Sequence, residues 1–235
     1  MDDVGTKPLN RSAKTGKNHR ENQELQILID ISSALHGSLH LQDVLQQALL
    51  AILRTLQFKM GAIYLLKELE ENACSLDLAA QQGFSSTLID SIQSFSLSRD
   101  ALERFTSSNP VRWFPRKKVV FADLRKRMLE EKINEIICIP LLTKKRVLGL
   151  LYVTNDGALR FRPDRSEFLR TIGFQIGAAI ENAQLFDSVE RAKTELEISF
   201  DAIQHAIFII DARWRIYRIN KTSEKIYGDD LIGRR

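Results

Sequence analysis

Residues 135–155, EIICIPLLTKKRVLGLLYVTN, constrain the fold more than any other stretch of this chain. Two apolar runs, Ile136 to Leu142 and Val147 to Val153, flank the polar turn Thr143, Lys144, Lys145 and Arg146. Runs so spaced are expected to pair antiparallel as neighbours. Their apolar residues are continuous rather than alternating, so both faces of the sheet need cover. A helical pattern extends from about Asp164 past Phe200, and a helix can cover only one of those faces. The other is left for a lid and, beneath it, a ligand.

A chain of 235 residues, 44% hydrophobic, has room for one full domain with a proper core and something smaller beside it. Its apolar runs fall short of the roughly 18 residues a membrane helix requires, and the amino terminus carries charges without an apolar signal core. The expected compartment is therefore cytoplasmic, with no membrane partner. Cys74 and Cys138 lie far apart without Cys-x-x-Cys spacing, which argues against a disulfide framework or a zinc knuckle. The net charge of +4 resides largely in the first residues, where Lys7, Arg11, Lys14, Lys17 and Arg20 outnumber Asp2 and Asp3. A second basic stretch, Arg112, Arg116, Lys117, Lys118, Arg125, Lys126 and Arg127, comes without a helix-turn-helix or stacking aromatics. It reads as a solvated lid and helix face rather than a nucleic-acid surface.

Residues 1–20 are polar and basic, too poor in apolar groups to offset the entropy of ordering, and are expected to be a disordered tail. From Glu24, the residues Leu25, Leu28, Ile29, Ser32 and Leu35 recur at helical spacing until Gly37. A second helix opens near Leu41 with His40 as N-cap and carries Val44, Leu45, Ala48, Leu49, Ile52 and Leu56. Met60 to Leu66 and Cys74 to Ala80 read as a hairpin that Gly83 ends. The middle of the chain is a run of short elements, as in a lid: Phe84, Leu88, Ile92 and Phe95 on one helix, Asp100 to Phe105 on another, VRWF as a strand, and Ala122 to Lys132 as a basic helix.

Taken in this order, the segments SLHLQDVLQQAL, GAIYLL, LDLAAQQGF, IPLLTKKRVLGLLYVTN and FRPDRSEFLRTIGFQIGAAIENAQLF resemble a GAF domain over roughly Glu24 to Asp187. The resemblance implies an α+β fold, with a five- or six-stranded antiparallel sheet, helices on one face, and a small-molecule pocket under a lid on the other. We assign residues 21–187 to this domain and 188–205 to a connector helix. Residues 206–235 resemble the opening third of a PAS domain: strand, tight turn, strand, then a helix started by Asn220 and ended by Gly228. Half a sheet cannot bury enough apolar surface to offset its ordering. A truncated product or incomplete reading frame is thus expected, the alternative being a complete protein with a frayed tail.

A helix from Asp164 to about Gln204 would be near 60 Å long at 1.5 Å per residue, about twice the width of a small domain. In its far half Leu185, Val189, Ala192, Leu196, Ser199 and Ile203 alternate spacings of four and three, the seam of a short parallel coiled coil. A homodimer through this helix is the expectation; the alternative is an amphipathic helix lying on its own or the next domain. Ala192 and Ser199 would keep such a seam weak, which suits a joint that must shift.

No catalytic or metal-binding set emerges. The Asn-Lys pair and Phe-Asp-Glu run that mark cyclic-nucleotide binding in the family correspond here to Asn155, Asp156, Phe161, Asp164 and Arg165, so Asn155 and Phe161 read as structural. Residues 83–132 hold neither Cys nor His for bilin attachment. Cys138 sits within an apolar strand and reads as an inert core thiol rather than the nucleophile of a sulfoxide-reducing relative. His36 and His40 are separated by Gly37 and Ser38, which break a shared helix, and His205 lies at a helix-to-strand junction. Tyr64, Phe95, Trp113, Phe114 and Tyr152 are the pocket candidates, a ligand's identity being open. The expected function is a signalling sensor feeding a histidine kinase; a transcription activator, a cyclic-dinucleotide enzyme or a small thiol enzyme of the same fold are the alternatives.

Overall fold

The computed structural model describes residues 22, 24–33, 35, 40–69, 73–100, 102, 111–118, 122–144, 146–156, 165–228 and 230–234. The disordered tail expected at residues 1–20, His36 and Phe161 lie outside this set, as does most of the helix expected at 100–105. Two compact units divide between Gln184 and Leu185.

In the first unit, β1 (Met60–Glu68), β2 (Ala73–Gln82), β3 (Ser94–Ser98), β4 (Arg112–Pro115), β5 (Glu135–Leu142) and β6 (Val147–Thr154) form one sheet. Their order is β3-β2-β1-β6-β5-β4, and every neighbouring pair is antiparallel. The β5–β6 turn closes where the Thr143 amide donates to the Arg146 carbonyl at 2.9 Å. Side chains alternate across this sheet, so its apolar strands supply two cores at once. Ile137, Ile139, Leu141, Leu151 and Val153 face the helices, while Cys138 and Leu150 face the lid.

Three helices cover the first of these faces. The helix over residues 24–33 buries Ile31 and turns Leu25 and Ile29 outward, each 57% exposed. Its inward face keeps Leu28 and Leu35 of the stripe that the spacing suggests but takes Ile27 and Ile31 in place of Leu25 and Ile29. The second helix, Leu41–Leu56, buries Val44, Leu45, Ala48, Leu49, Ile52 and Leu53, and has His40 as N-cap in extended conformation. The third runs unbroken from Ser166 to Ala202. A β-carbon at Gly173 would stand 2.3 Å from the Pro140 carbonyl oxygen, and one at Gly177 2.2 Å from that of Leu142. Only glycine lets this helix lie directly on β5, and Phe168, Leu169, Ile172, Ile176 and Ile180 then fill the space around the contact.

The other face is covered by short pieces. A helix at Ser86–Ser91 is capped by the Ser85 hydroxyl, which accepts from the Leu88 amide. It stops there, and Phe95 belongs to strand β3 rather than to the helix expected to carry it. The alternation Ser94-Phe95-Ser96-Leu97-Ser98 also fits a strand, and pairing with β2 selects it over the helical spacing from Phe84. A 3-10 turn at Arg116–Lys118 succeeds β4, and a helix spans Ala122–Glu130. That helix ends with Lys132 in the left-handed region, φ 60°, where the Ile133 amide reaches back to the Met128 carbonyl at 2.7 Å.

The second unit contains the far half of the long helix, a hairpin of β7 (Phe208–Ile210) and β8 (Ile216–Ile219), and a helix at Lys221–Tyr227. Asp211 organises the turn: one carboxylate oxygen accepts from the amides of Arg213 and Arg215 at 2.8 and 3.0 Å, and the other from the Arg215 guanidinium at 2.9 Å. These contacts, the Arg215 amide first, hold its carboxyl below the usual carboxylate range. Asn220 is fully buried. Its amide nitrogen donates to the carbonyls of Ile203 and His205 at 3.0 and 2.9 Å. Its oxygen accepts from the amides of Ile207 and Ser223 at 3.0 and 3.1 Å. One side chain thus binds the segment just past the long helix, the lead-in to β7 and the first turn of the last helix.

Candidate functional site

The lid face of the sheet differs in chemistry from the helix face because the strands place aromatic and sulfur side chains there. Tyr64 on β1 and Tyr152 on β6 meet edge to face, ring centres 5.4 Å apart, and Phe95 on β3 leans on Tyr64 at 5.5 Å. A shift in register between β1 and β2 falls beside Tyr64, the kind of irregularity that re-aims a side chain. Around these rings pack Ala62, Leu76, Leu150, Phe84, Leu97 and Phe114. The ring edges and faces fit one another as offset aromatic pairs do.

Three polar atoms lie within this apolar setting. The Tyr64 hydroxyl donates to the Ile92 carbonyl at 2.9 Å, tying the sheet to the lid. Cys138 and Tyr152 are register partners across β5 and β6, which brings the thiol beside the tyrosine. Burial pushes the Cys138 thiol far above its ordinary range, the Tyr152 hydroxyl and the nearby Arg112 guanidinium only partly opposing it. Burial likewise raises both tyrosine hydroxyls, and the neighbouring thiol adds to the effect at Tyr152. All three groups are therefore neutral hydrogen-bonding groups near neutral pH, and the thiol is a poor nucleophile.

Of the five residues singled out from the sequence, the structure gathers Tyr64, Phe95, Phe114 and Tyr152 around one centre. Trp113 is not among them. It pairs with Ile137, a residue of the helix face, and stands 43% exposed. Adjacent residues of a strand point to opposite sides, so Trp113 and Phe114 cannot share a face. Cys138 joins the cluster although its sequence setting suggested only filler. The signal was present in the alternation of Ile137, Cys138 and Ile139, which puts the thiol on the face opposite its two neighbours.

The remaining candidates have structural places. The Asn155 side chain accepts from the Lys59 amide at 2.7 Å and Lys59 pairs with Asp156 at 2.7 Å, fastening the start of β1 to the end of β6. Cys74 lies near the far end of the sheet, where its thiol donates to the Leu97 carbonyl at 3.4 Å and burial raises it. Both cysteines are unpaired. Among the described residues no group of His, Cys, Asp and Glu could hold a metal ion, and no helix is long and apolar enough to cross a membrane. On the second half of the long helix, Leu185, Val189 and Leu196 are 61%, 64% and 71% exposed, with Ala192 and Ser199 also open to solvent. Ile203, 40% exposed, lies just past the last helical residue.

Comparison with known proteins agrees with this geometry. The family model described as GAF domain matches residues 40–180, more than half of the chain. No curated protein sequence matches it. Among solved structures, the chain is similar to the GAF domain of an Acinetobacter phosphoenolpyruvate-protein phosphotransferase, with 20% identity, 70% of this chain and 97% of that chain covered, and a TM-score of 0.52. It is also similar to the GAF domain of a phosphoenolpyruvate-protein phosphotransferase from Coxiella burnetii, with 16% identity, 71% and 97% covered, and a TM-score of 0.55. A third is the GAF domain of a protein assigned as a sensor histidine kinase from Pseudomonas syringae pv. tomato, with 15% identity, 77% and 99% covered, and a TM-score of 0.51. At these identities the likeness is one of fold.

Proposed function

The chain belongs to the GAF domain family, and on that premise we propose that it is a cytoplasmic sensor module of a signal-transduction protein. A small molecule bound beneath the lid, against Tyr64, Phe95, Phe114 and Tyr152, biases the long helix, and the helix passes that bias to an output domain beyond it. We read residues 188–205 as the connector and 206–235 as the opening part of a PAS domain. Its strand, turn, strand and Asn-capped helix are in the order such a domain begins with. A sensor histidine kinase is the parent this arrangement suits, and the module itself performs no catalysis. The high, buried thiol of Cys138 supports that last point: turnover of a peroxide or sulfoxide lost in Cys138→Ser would overturn it.

The observation that carries the proposal is the continuity of the helix Ser166–Ala202. Its first half is seated on β5 through Gly173 and Gly177, and its second half presents Leu185, Val189 and Leu196 outward. Exposed apolar residues at alternating spacings of four and three are the pattern of a two-stranded seam. We place a homodimer there, through Leu185, Val189, Ala192, Leu196 and Ile203. Light scattering of the full chain at tens of micromolar is expected to give twice the monomer mass, and Leu196→Glu to give the monomer with unchanged far-UV circular dichroism. A monomeric parent chain at that concentration would overturn the relay.

A further inference from the structure

The two lid helices are joined by a pair of polar contacts that the fold does not otherwise require. Glu131, one residue past the helix Ala122–Glu130, accepts from the Ser85 amide at 3.1 Å with the same oxygen that accepts from the Ser85 hydroxyl. That hydroxyl is also the N-cap acceptor for the Leu88 amide. Arg127, one turn back on the same helix, donates to the Thr87 carbonyl at 2.8 Å. A carboxylate and a guanidinium thus grip the start of the helix Ser86–Ser91 from one side. Hydrogen bonds with one ionised partner are about twice as strong as neutral ones.

The grip matters because of where the gripped helix leads. Beneath the pair of helices, Leu88, Ile92, Met128 and Ile133 form a small core with Met60. Phe84 and Phe95, on either side of the gripped helix, pack against both this core and the Tyr64–Cys138 cluster. At its far end the carbonyl of Ile92 is the acceptor for the Tyr64 hydroxyl. The segment 84–95 is therefore held at its start by Glu131 and Arg127 and near its end by Tyr64. Releasing the start loosens Phe84 and Phe95 from the lid-face cluster to which Cys138 belongs.

We infer that Glu131 and Arg127 form a clasp that sets how often the lid opens over the aromatic cluster. The inference rests on the sensor reading for its purpose, since the clasp then governs ligand admission, but its test needs no ligand. In the full chain carrying Cys74→Ser, Cys138 is the only thiol, and it is fully buried. The aromatic disulfide dithiobis-nitrobenzoate reacts with a thiolate to form a mixed disulfide and release a coloured thionitrobenzoate, so the rate of colour reports exposure of Cys138. The double variant Glu131→Ala with Arg127→Ala is expected to label about tenfold faster under native conditions, the factor for losing roughly one net hydrogen bond's worth of lid closure. Glu131→Gln, which keeps an acceptor for the Ser85 amide, is expected to fall between. Lys126→Ala, on the same helix but outside the clasp, is expected to leave the rate unchanged.

Global unfolding is separated by urea titration of each variant, monitored through the sheet's circular dichroism. The clasp stands if labelling accelerates more than the global unfolding constant does. It is overturned if the double variant labels like Lys126→Ala, or if its labelling rises only in step with global unfolding. Either result leaves the dimer and relay untouched, whereas a monomeric parent chain removes the relay and leaves the clasp.

Discussion

The two faces of the sheet are built from alternate residues of the same strands, yet they are closed by opposite means. On the helix face, long helices bring aliphatic side chains into one large continuous core, and the closest helix touches strand backbone through Gly173 and Gly177. On the lid face, short elements bring rings, a thiol and hydroxyls, and charged contacts at the rim help hold them down. The difference teaches where stability and responsiveness are divided in this fold. Close packing tolerates little change, whereas a cover of short pieces makes fewer contacts of that kind with the sheet.

The contrast is broken most severely by Gly177→Val. Its new side chain would meet the Leu142 backbone, which cannot move without disturbing the β5–β6 pair. The expected outcome is loss of the cooperative thermal transition, read by circular dichroism. A folded variant with an ordinary melting curve would mean that the helix does not rest on β5. The next comparison uses neighbours in sequence that are both fully buried, Ile139 on the helix face and Cys138 on the lid face. Ile139→Ala should cost about 2–5 kcal/mol in urea unfolding, because the tight core cannot collapse into the vacancy. Cys138→Ala removes a single atom from the lid-face lining and should cost about 1 kcal/mol. Equal costs would erase the distinction between the faces. Most local is Tyr64→Phe, which leaves the Ile92 carbonyl without its donor. About 1 kcal/mol should be lost from closure of the segment it ties down, read as faster amide exchange in residues 86–93 with β5 and β6 unchanged.

Much of this arrangement was legible in the chain because apolar continuity and turn chemistry act locally. The β5–β6 hairpin, the first hairpin and the long helix all lie where the spacing of their residues places them. Strand β3 was obscured because the spacing of Phe84, Leu88, Ile92 and Phe95 also fits a helix, and only pairing with β2 decides between the two. The inward face of the first helix was hidden in part for a related reason: Leu28 and Leu35 can be joined by Leu25 and Ile29 or by Ile27 and Ile31, and the neighbouring core selects the second pair. In the candidate site, the apolar, aromatic character could be read from the sequence. The sorting of Trp113 from Phe114 required the register of β4 on β5. The meeting of Glu131 with Ser85 is a contact across 46 residues, set by tertiary packing rather than by any local pattern.

Asn220 leaves its surroundings with fewer ways to move than their sequence separation suggests. Because one amide group grips carbonyls at Ile203 and His205 together with the amides of Ile207 and Ser223, these four points turn as a single bracket. The stretch between the end of the long helix and the β7–β8 hairpin is therefore pinned by one side chain rather than left as a slack loop.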